Sequence, residues 1–112
     1  MKKIEAIIRP EKVEDIKEEL NKLNVNGLTL SQVMGCGQQK GWKEYFRGTE
    51  VILSVLPKVK AEIIVTDAQL EAVIEVICKA AHTGELGDGK IFVYDVVDAI
   101  RIRTGERGIG AV

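Results

Sequence analysis

The chain has 112 residues and carries 16 Lys and Arg against 17 Asp and Glu, a formal net charge of −1. One small domain fits that length, and the charge balance excludes a protein built to coat a polyanion. Hydrophobic residues supply 46% of the chain but aromatic ones only 4%, so a core must be assembled from Ile, Val, Leu and Ala.

The opening MKKIEAIIRP lacks the apolar stretch of a signal peptide, because Glu5 and Arg9 interrupt it, and no run approaches the ~18 apolar residues of a membrane-spanning helix. A cytoplasmic protein is expected. Residues 3–9 read as a strand with Ile4, Ala6 and Ile8 on one side, stopped by Pro10, which can open a helix. Over 11–24, Val13, Ile16, Leu20 and Leu23 recur at steps of three and four, the stripe of an amphipathic helix. Asn24 to Gly27 ends it, and Leu28 to Met34 reads as a second strand. From Gly35 to about Ser54 the periodicity fails: GCGQQKGWKEYFRGTE is glycine-rich and polar, and holds three of the five aromatic rings, Trp42, Tyr45 and Phe46. A loop of that length in a compact domain is uncommon and usually functional.

A strand is expected after Pro57, with Val59 to Val65 covered on both faces. Asp67 is expected to cap a second helix whose buried stripe is Leu70, Val73, Ile74, Ile77 and Ala81, ending at Thr83 and Gly84. ELGDG then turns into a strand KIFVYDV. A short strand at about Ala99 to Arg103 precedes a glycine-rich tail, expected to be flexible over about 104–112. Two successive βαβ units of similar length predict a single α+β domain, a ferredoxin-like βαββαβ sandwich with both helices on one face of the sheet. Consecutive apolar positions in IIV and IFV predict that the other face is apolar too, which implies its burial against further copies of the chain. The same architecture hosts enzymes, RNA binders and sensors, so it assigns no activity. Cys36 and Cys78 lack CxxC spacing, which argues against zinc; Cys78 reads as buried and Cys36, between glycines, as exposed.

Ten of the eleven glycines fall in three groups, 35–48, 84–89 and 105–110. In the second, Gly87, Asp88, Gly89 and Lys90 can turn successive N–H groups toward an anion, with Lys90 adding a positive charge. Arg101 and Arg103, two residues apart on an extended segment, would share a face and could clamp phosphate oxygens together. Each feature also has a plain reading, since GDG is an ordinary turn, RIR is an ordinary solvated strand face, and GxxxxGK[ST] is absent. The long loop reads as a mobile segment, a partner-binding surface or an aromatic platform for single-stranded nucleic acid. Its rings favour the second, a loop that ligand orders and a partner reads, whereas the lack of a basic groove disfavours nucleic acid. No Ser/His/Asp set, carboxylate pair or metal-ligand cluster is present, and the lone His82 suits the dipole at a helix end. An enzyme is not expected.

The segment TGELGDGKIFV, Thr83 to Val93, resembles the C-terminal signature of the PII nitrogen-regulatory signal transducers. The likeness runs through MKKIEAIIRP, GxGxQKG at Gly35 to Gly41, FRGTE, LPKVK at Leu56 to Lys60 and IRIRTGE at Ile100 to Glu106. The resemblance implies a compact homotrimer that binds ATP or ADP competitively in clefts between subunits, and 2-oxoglutarate together with Mg-ATP. It implies a T-loop, about 37–55, that docks on an ammonium transporter or on an enzyme or regulator of nitrogen assimilation, so that a membrane is reached only through a transporter. Carried over by position, Gly87, Asp88, Gly89 and Lys90 would hold the phosphates, with Arg101 and Arg103 from a neighbouring subunit. Ile7, Thr29, Glu62 and Ile64 would surround the base, with Gly37 and Gln38 beside the nucleotide. Gln39 would ligate Mg²⁺, while Lys58 would pair with a carboxylate of 2-oxoglutarate, aided by Gly37, Lys40, Gly41 and Gly87. Trp42, Tyr45, Phe46 and Arg47 would face the partner, Arg47 at the position that plugs a transporter pore.

Two departures from the family pattern bear on function. Val51 stands where many members carry a nucleotidylylated tyrosine, so that modification is chemically impossible at position 51; Thr49 stands where cyanobacterial members carry a phosphorylated serine. Gln38 replaces an arginine that contacts the terminal phosphates, which weakens ATP relative to ADP by about 1.5–3 kcal/mol at most. The expected function is a non-catalytic sensor of adenylate charge and 2-oxoglutarate that acts on an ammonium transporter. The alternatives are a regulator of glutamine synthetase or nitrogenase and, from a different class, an ATP-hydrolysing enzyme.

Overall fold

The computed structural model of the chain describes residues 1–25, 27–36, 43–46, 49–52 and 55–112. Its elements follow in the order β1 (Lys2–Ile8), α1 (Val13–Lys22), β2 (Leu28–Cys36), β3 (Lys43–Phe46), β4 (Thr49–Ile52), β5 (Val55–Val65), α2 (Leu70–Ala81) and β6 (Lys90–Asp95), with 3₁₀ turns at Pro10–Lys12 and Gly108–Ala111. Period-two alternation sets the sheet. Ile4, Ala6 and Ile8 of β1 and Val59, Ala61, Ile63 and Val65 of β5 point inward, where Ile16 and Leu20 of α1 and Val73, Ile77 and Ala81 of α2 meet them. Each fully buried Ile or Val in this layer contributes about 1.5–3 kcal/mol of hydrophobic stabilisation.

The strand order is β2-β5-β1-β6, and every neighbouring pair is antiparallel. β1 and β2 are therefore parallel with β5 between them, and β5 and β6 are parallel with β1 between them. This is the doubly split βαβ arrangement expected of the ferredoxin-like sandwich. Ile4 sits between Ile63 and Val93 across the sheet, and Ala6 between Ala61 and Ile91. Asn24 closes α1 in a left-handed conformation (φ 57); the N–H of Asn24 reaches Asn21 O and that of Val25 reaches Leu20 O, the paired bonds of a Schellman end.

Several expectations are corrected. The open face of the sheet is mixed and not a continuous apolar patch: Ile7, Ile64 and the exposed Phe92 lie on it among charged residues. In 58–65 the outward positions are Lys58, Lys60, Glu62 and Ile64, so the run IIV places only one of its residues outside. Across β1, β5 and β6 the face carries ion pairs, Lys3 to Glu62 at 3.2 Å and Lys60 to Glu5 at 3.6 Å. The Tyr94 hydroxyl donates to Glu5 at 2.7 Å, and the Lys3 ammonium lies 5.0 Å from the Tyr94 ring centroid. The segment expected as a continuous loop contains the two-stranded β3-β4 ladder, Lys43 opposite Ile52 through Phe46 opposite Thr49. β5 begins before Pro57 rather than after it. Its pairing with β1 stops at Ile8 opposite Val59, so at Pro57 only β2 is alongside and the missing N–H removes no bond to β1.

Asp67 does not cap α2. Gln69 holds the N-cap position without a side-chain cap bond, and the turn leading into the helix is closed by capping-box bonds, with the Gln69 N–H donating to Thr66 Oγ1 at 3.3 Å and the Thr66 N–H to Gln69 Oε1 at 3.0 Å. Asp67 lies 3.1 Å from the Met1 amino nitrogen. Cys78 is exposed, as Cys36 is, because it stands one position, about 100° of helix, round from the buried Ile77. The chain after Asp98 is not a strand and tail. A single bridge joins Ile100 and Arg107, and the Gly105 N–H reaches Arg101 O while the Arg101 N–H reaches Glu106 O. That closes a loop which the Gly108 N–H ties to Ala99 O before the final 3₁₀ turn.

One glycine is fixed by close packing. Gly89 has φ 102, and a Cβ there would lie 1.7 Å from Ile7 O, whereas Gly105, φ 75, has open space around it. Gly89→Ala is expected to cost about 3 kcal/mol or more and Gly105→Ala about 1 kcal/mol, read as midpoints of urea unfolding at one protein concentration. Equal losses would show that backbone conformation alone, and not the approach to β1, requires Gly89.

Candidate functional site

Helix α2 delivers the segment Thr83 to Lys90 to one end of the sheet, beside the last residues of β1. Glycines at 84, 87 and 89 have φ of 89, 99 and 102, while Asp88 between the last two has not. Such alternation curls the backbone so that successive N–H groups converge, a preformed anion nest. Asp88 holds the curl together. Its carboxylate accepts from the Thr83 N–H at 2.8 Å, the Gly84 N–H at 3.0 Å, the Thr83 hydroxyl and Arg9 Nε at 3.3 Å. These donors, the Thr83 hydroxyl foremost, hold the Asp88 carboxyl far below the usual carboxylate range. The Asp88 side chain is thus spent on shaping the loop, and what the turn offers an anion is its backbone N–H groups and the exposed Lys90.

Lys58 reaches the same loop from β5. Its side chain is 6% exposed, and its ammonium donates to Gly87 O at 2.5 Å. Gly35, two residues beyond Lys58's partner Val33 on β2, leaves room for it: a Cβ at 35 would lie 3.1 Å from Lys58 Cγ. Burial, then the nearby Arg9 charge, pushes the Lys58 pKa down. An arriving carboxylate would offset both effects.

The remaining sites expected from sequence divide by position. Ile7 is paired with Lys90 and Lys60 at the loop end. Thr29 is directly opposite Glu62, and Ile64, opposite Lys3, follows on the same open face. Glu62 is already engaged by Lys3. Arg101 lines a groove of about 550 Å³ with Ile64, Val25, Gly27 and Val112, and Arg103 follows in the same closed loop, not on an extended segment. The Arg101 group and the Gly87 group therefore lie at opposite ends of β1, separated by the four residue steps from Lys3 to Ile7, about 13 Å of strand. Gly37, Gln38, Gln39, Lys40, Gly41, Trp42 and Arg47 lie outside the described residues. Tyr45 and Phe46 are on β3, and Thr49 and Val51 on β4. Among the described residues no group of three or more His, Cys, Asp or Glu could hold a metal, and no helix is long and apolar enough to cross a membrane.

Sequence reasoning missed Arg9 and Thr83. Arg9 is 79 residues from Asp88, beyond any local pattern, whereas the spacing from Thr83 to Asp88 across two glycines was a readable turn signal.

Because the Asp88 pKa is lowered by folding, its contribution is complete above the ordinary Asp value of ~4 and is lost only as pH falls through the lower folded value. Protection of the Thr83 and Gly84 amides, measured as exchange relative to the intrinsic rate at each pH, is expected to persist on acidification through pH ~4 and to be lost across that range in Asp88→Ala. Protection retained in that variant would remove Asp88 as the loop's anchor.

Comparison with known proteins finds relatives over the full chain. The family described as Nitrogen regulatory protein P-II matches residues 1–106. A Nitrogen regulatory protein P-II of Pasteurella multocida is 54% identical over 112 residues, and one of Rhodospirillum rubrum 53%, each alignment spanning all of both chains. The solved structure titled "Structure of B. subtilis GlnK" superposes with a TM-score of 0.84 at 42% identity, covering 99% of this chain and 97% of that one. These relatives are named as regulators of nitrogen metabolism and not as enzymes, and the chain belongs to the nitrogen regulatory protein P-II family.

Proposed function

We propose that the chain senses ATP or ADP and 2-oxoglutarate as a trimer and reports them to an ammonium transporter through the 37–55 loop. The observation that carries this reading is the division of the phosphate-binding groups. The Gly87 to Lys90 nest and the Arg101 and Arg103 loop lie at opposite ends of one sheet, too far apart to hold the same phosphate group. Two copies side by side bring the nest of one against the arginines of the next, which makes a cleft between subunits the natural place for a nucleotide. Ile7 and Lys58 would belong to the first half of such a cleft, and Thr29, Glu62 and Ile64 to the second.

Exposed apolar residues support the assembly. Val97 is 99% exposed and Ile102 100%, an unusual pair to leave in water beside a functional arginine loop. The chemistry of the second effector follows from Lys58, a buried ammonium held by one carbonyl and disfavoured by Arg9, for which a dicarboxylate supplies the missing negative charge. Mg²⁺ would be held through Gln39 and the nucleotide's phosphates. Effectors act on the target only by binding the loop's states unequally.

Calorimetry on the full chain tests the reading. ADP and ATP are expected to bind once per subunit, and 2-oxoglutarate only when Mg-ATP is present; no nucleotide binding would overturn the proposal. Lys58→Met, which keeps the buried stem, is expected to abolish 2-oxoglutarate binding under saturating Mg-ATP, and normal binding would refute that assignment. The divided site has its own test. Lys90→Ala and Arg101→Ala/Arg103→Ala chains each lose ADP binding alone, but when refolded together at equal ratio they should recover about one cleft in four. No recovery would place both halves within one subunit. For the partner, the parent chain is expected to capture a detergent-solubilised ammonium transporter and Arg47→Ala to fail; undiminished capture by the variant would refute the role of Arg47, and no capture by the parent would point to glutamine synthetase or the nitrogenase system.

A further inference from the structure

Arg9 has no binding role in the reading above, yet it makes the longest-range contacts to the loop. Pro10 follows it and confines it to extended backbone, and Arg9 has φ −67 and ψ 138. Its side chain leaves the end of β1 across the loop in a set direction. One guanidinium nitrogen donates to Leu86 O at 2.8 Å and another to the Asp88 carboxylate at 3.3 Å. Lys58 takes the next carbonyl, that of Gly87. Two successive carbonyls are thus drawn toward two cations rooted in the sheet. In a trans peptide the N–H points opposite to the C=O, and no peptide bond described here is cis. The N–H groups of Gly87 and Asp88 are therefore both turned away from the sheet's cations, together, on the side an anion would approach.

We propose that Arg9 is a positioning residue of the phosphate-binding loop, holding the Leu86 carbonyl and the Asp88 carboxylate so that the Gly87 and Asp88 N–H groups are presented jointly to a nucleotide's phosphates. The inference rests on the nucleotide reading above. Only a guanidinium fork suits the task, since it donates in two fixed directions at once, whereas a Lys ammonium is a point charge on a flexible stem. Arg9 also cancels the Asp88 charge, which would otherwise repel phosphate from the nest. Its own charge being spent there, it acts through the loop and not as a ligand.

The test uses the full chain and ADP without metal. Arg9→Met is expected to weaken ADP binding tenfold or more, with the melting temperature of the unliganded protein within a few degrees of the parent, and Arg9→Lys to restore only part of the loss. The losses of Arg9→Met and Asp88→Ala should combine less than additively in Arg9→Met/Asp88→Ala, because the two residues share one contact while the Leu86 contact is cut only with Arg9. A direct phosphate ligand would instead give additive losses and near-complete rescue by Lys. Parental affinity in Arg9→Met, or additivity in the double variant, overturns the proposal. If Arg9→Met does not fold, Arg9→Lys decides, and parental affinity there is the overturning result. If the parent itself binds no ADP, the nucleotide reading fails, and amide exchange across Thr83 to Gly89 judges the tether separately. Faster exchange in Arg9→Met upholds it, and unchanged exchange overturns it.

Discussion

The carboxylate of Asp88 joins three parts of the chain that sequence keeps apart. Its donors come from the exit of α2 at Thr83 and Gly84 and from Arg9 at the end of β1. Without them the turn from α2 into β6 would have to satisfy its N–H groups with water, and the nest would be one conformation among several. Gly89 makes the arrangement possible at the other side, since its Cα approaches the Ile7 carbonyl more closely than any side chain would permit. A carboxylate that is this well supplied with donors stays ionised deep into acid, so the loop's shape does not drift with pH in the physiological range.

The sheet divides its labour by face. The core-facing residues of β1 and β5, Ile4, Ala6 and Ile8 with Val59, Ala61, Ile63 and Val65, are aliphatic and buried, while the open face sets Lys3, Glu5, Lys60, Glu62 and Tyr94 in a connected network. Individual half-exposed ion pairs of this type contribute about 0–1 kcal/mol, so their value lies less in stability than in orientation. The register sets Glu5 directly opposite Glu62, and the diagonal cations Lys3 and Lys60 neutralise that like-charge pair, so a register slip would strip the two carboxylates of their partners. The hydrophobic layer pulls the chain together, and the charged face limits the ways in which it can be put together.

Much of the fold was legible in local patterns. Steps of two in KIEAII and steps of three and four in the helices placed the core residues, because burial on one face is a short-range signal. Where the reading failed, a neighbouring residue competed. Thr66 and Gln69 carry the T-x-x-Q spacing of a capping box, but Asp67 beside them is an equally good cap by type, and only the two reciprocal bonds decide between them. Arg101 and Arg103 alternate like a strand, yet Gly105 at positive φ closes the loop that contains them. The open face was misjudged because IIV was read as a block when the alternation of KVKAEIIV already separated Lys60 and Glu62 from the core. The glycine spacing marked Gly87 to Lys90 as a candidate anion-binding turn, but the contacts that hold it are tertiary. Nothing in a single sequence pairs Arg9 with a residue 79 positions away.

The two outer strands have one more consequence. β2 runs nine residues, LTLSQVMGC, without a charge or a proline, and β6 confines its charges to the terminal Lys90 and Asp95. Among the described residues, both border the sheet with no further strand beyond them. Soluble proteins usually guard such borders with lysines, prolines or bulges, because bare strand edges recruit one another. A border that omits these guards keeps its outer N–H and C=O groups open to any extended segment that meets it, so a lysine or proline placed mid-way along β2 is the change that would make this border inert.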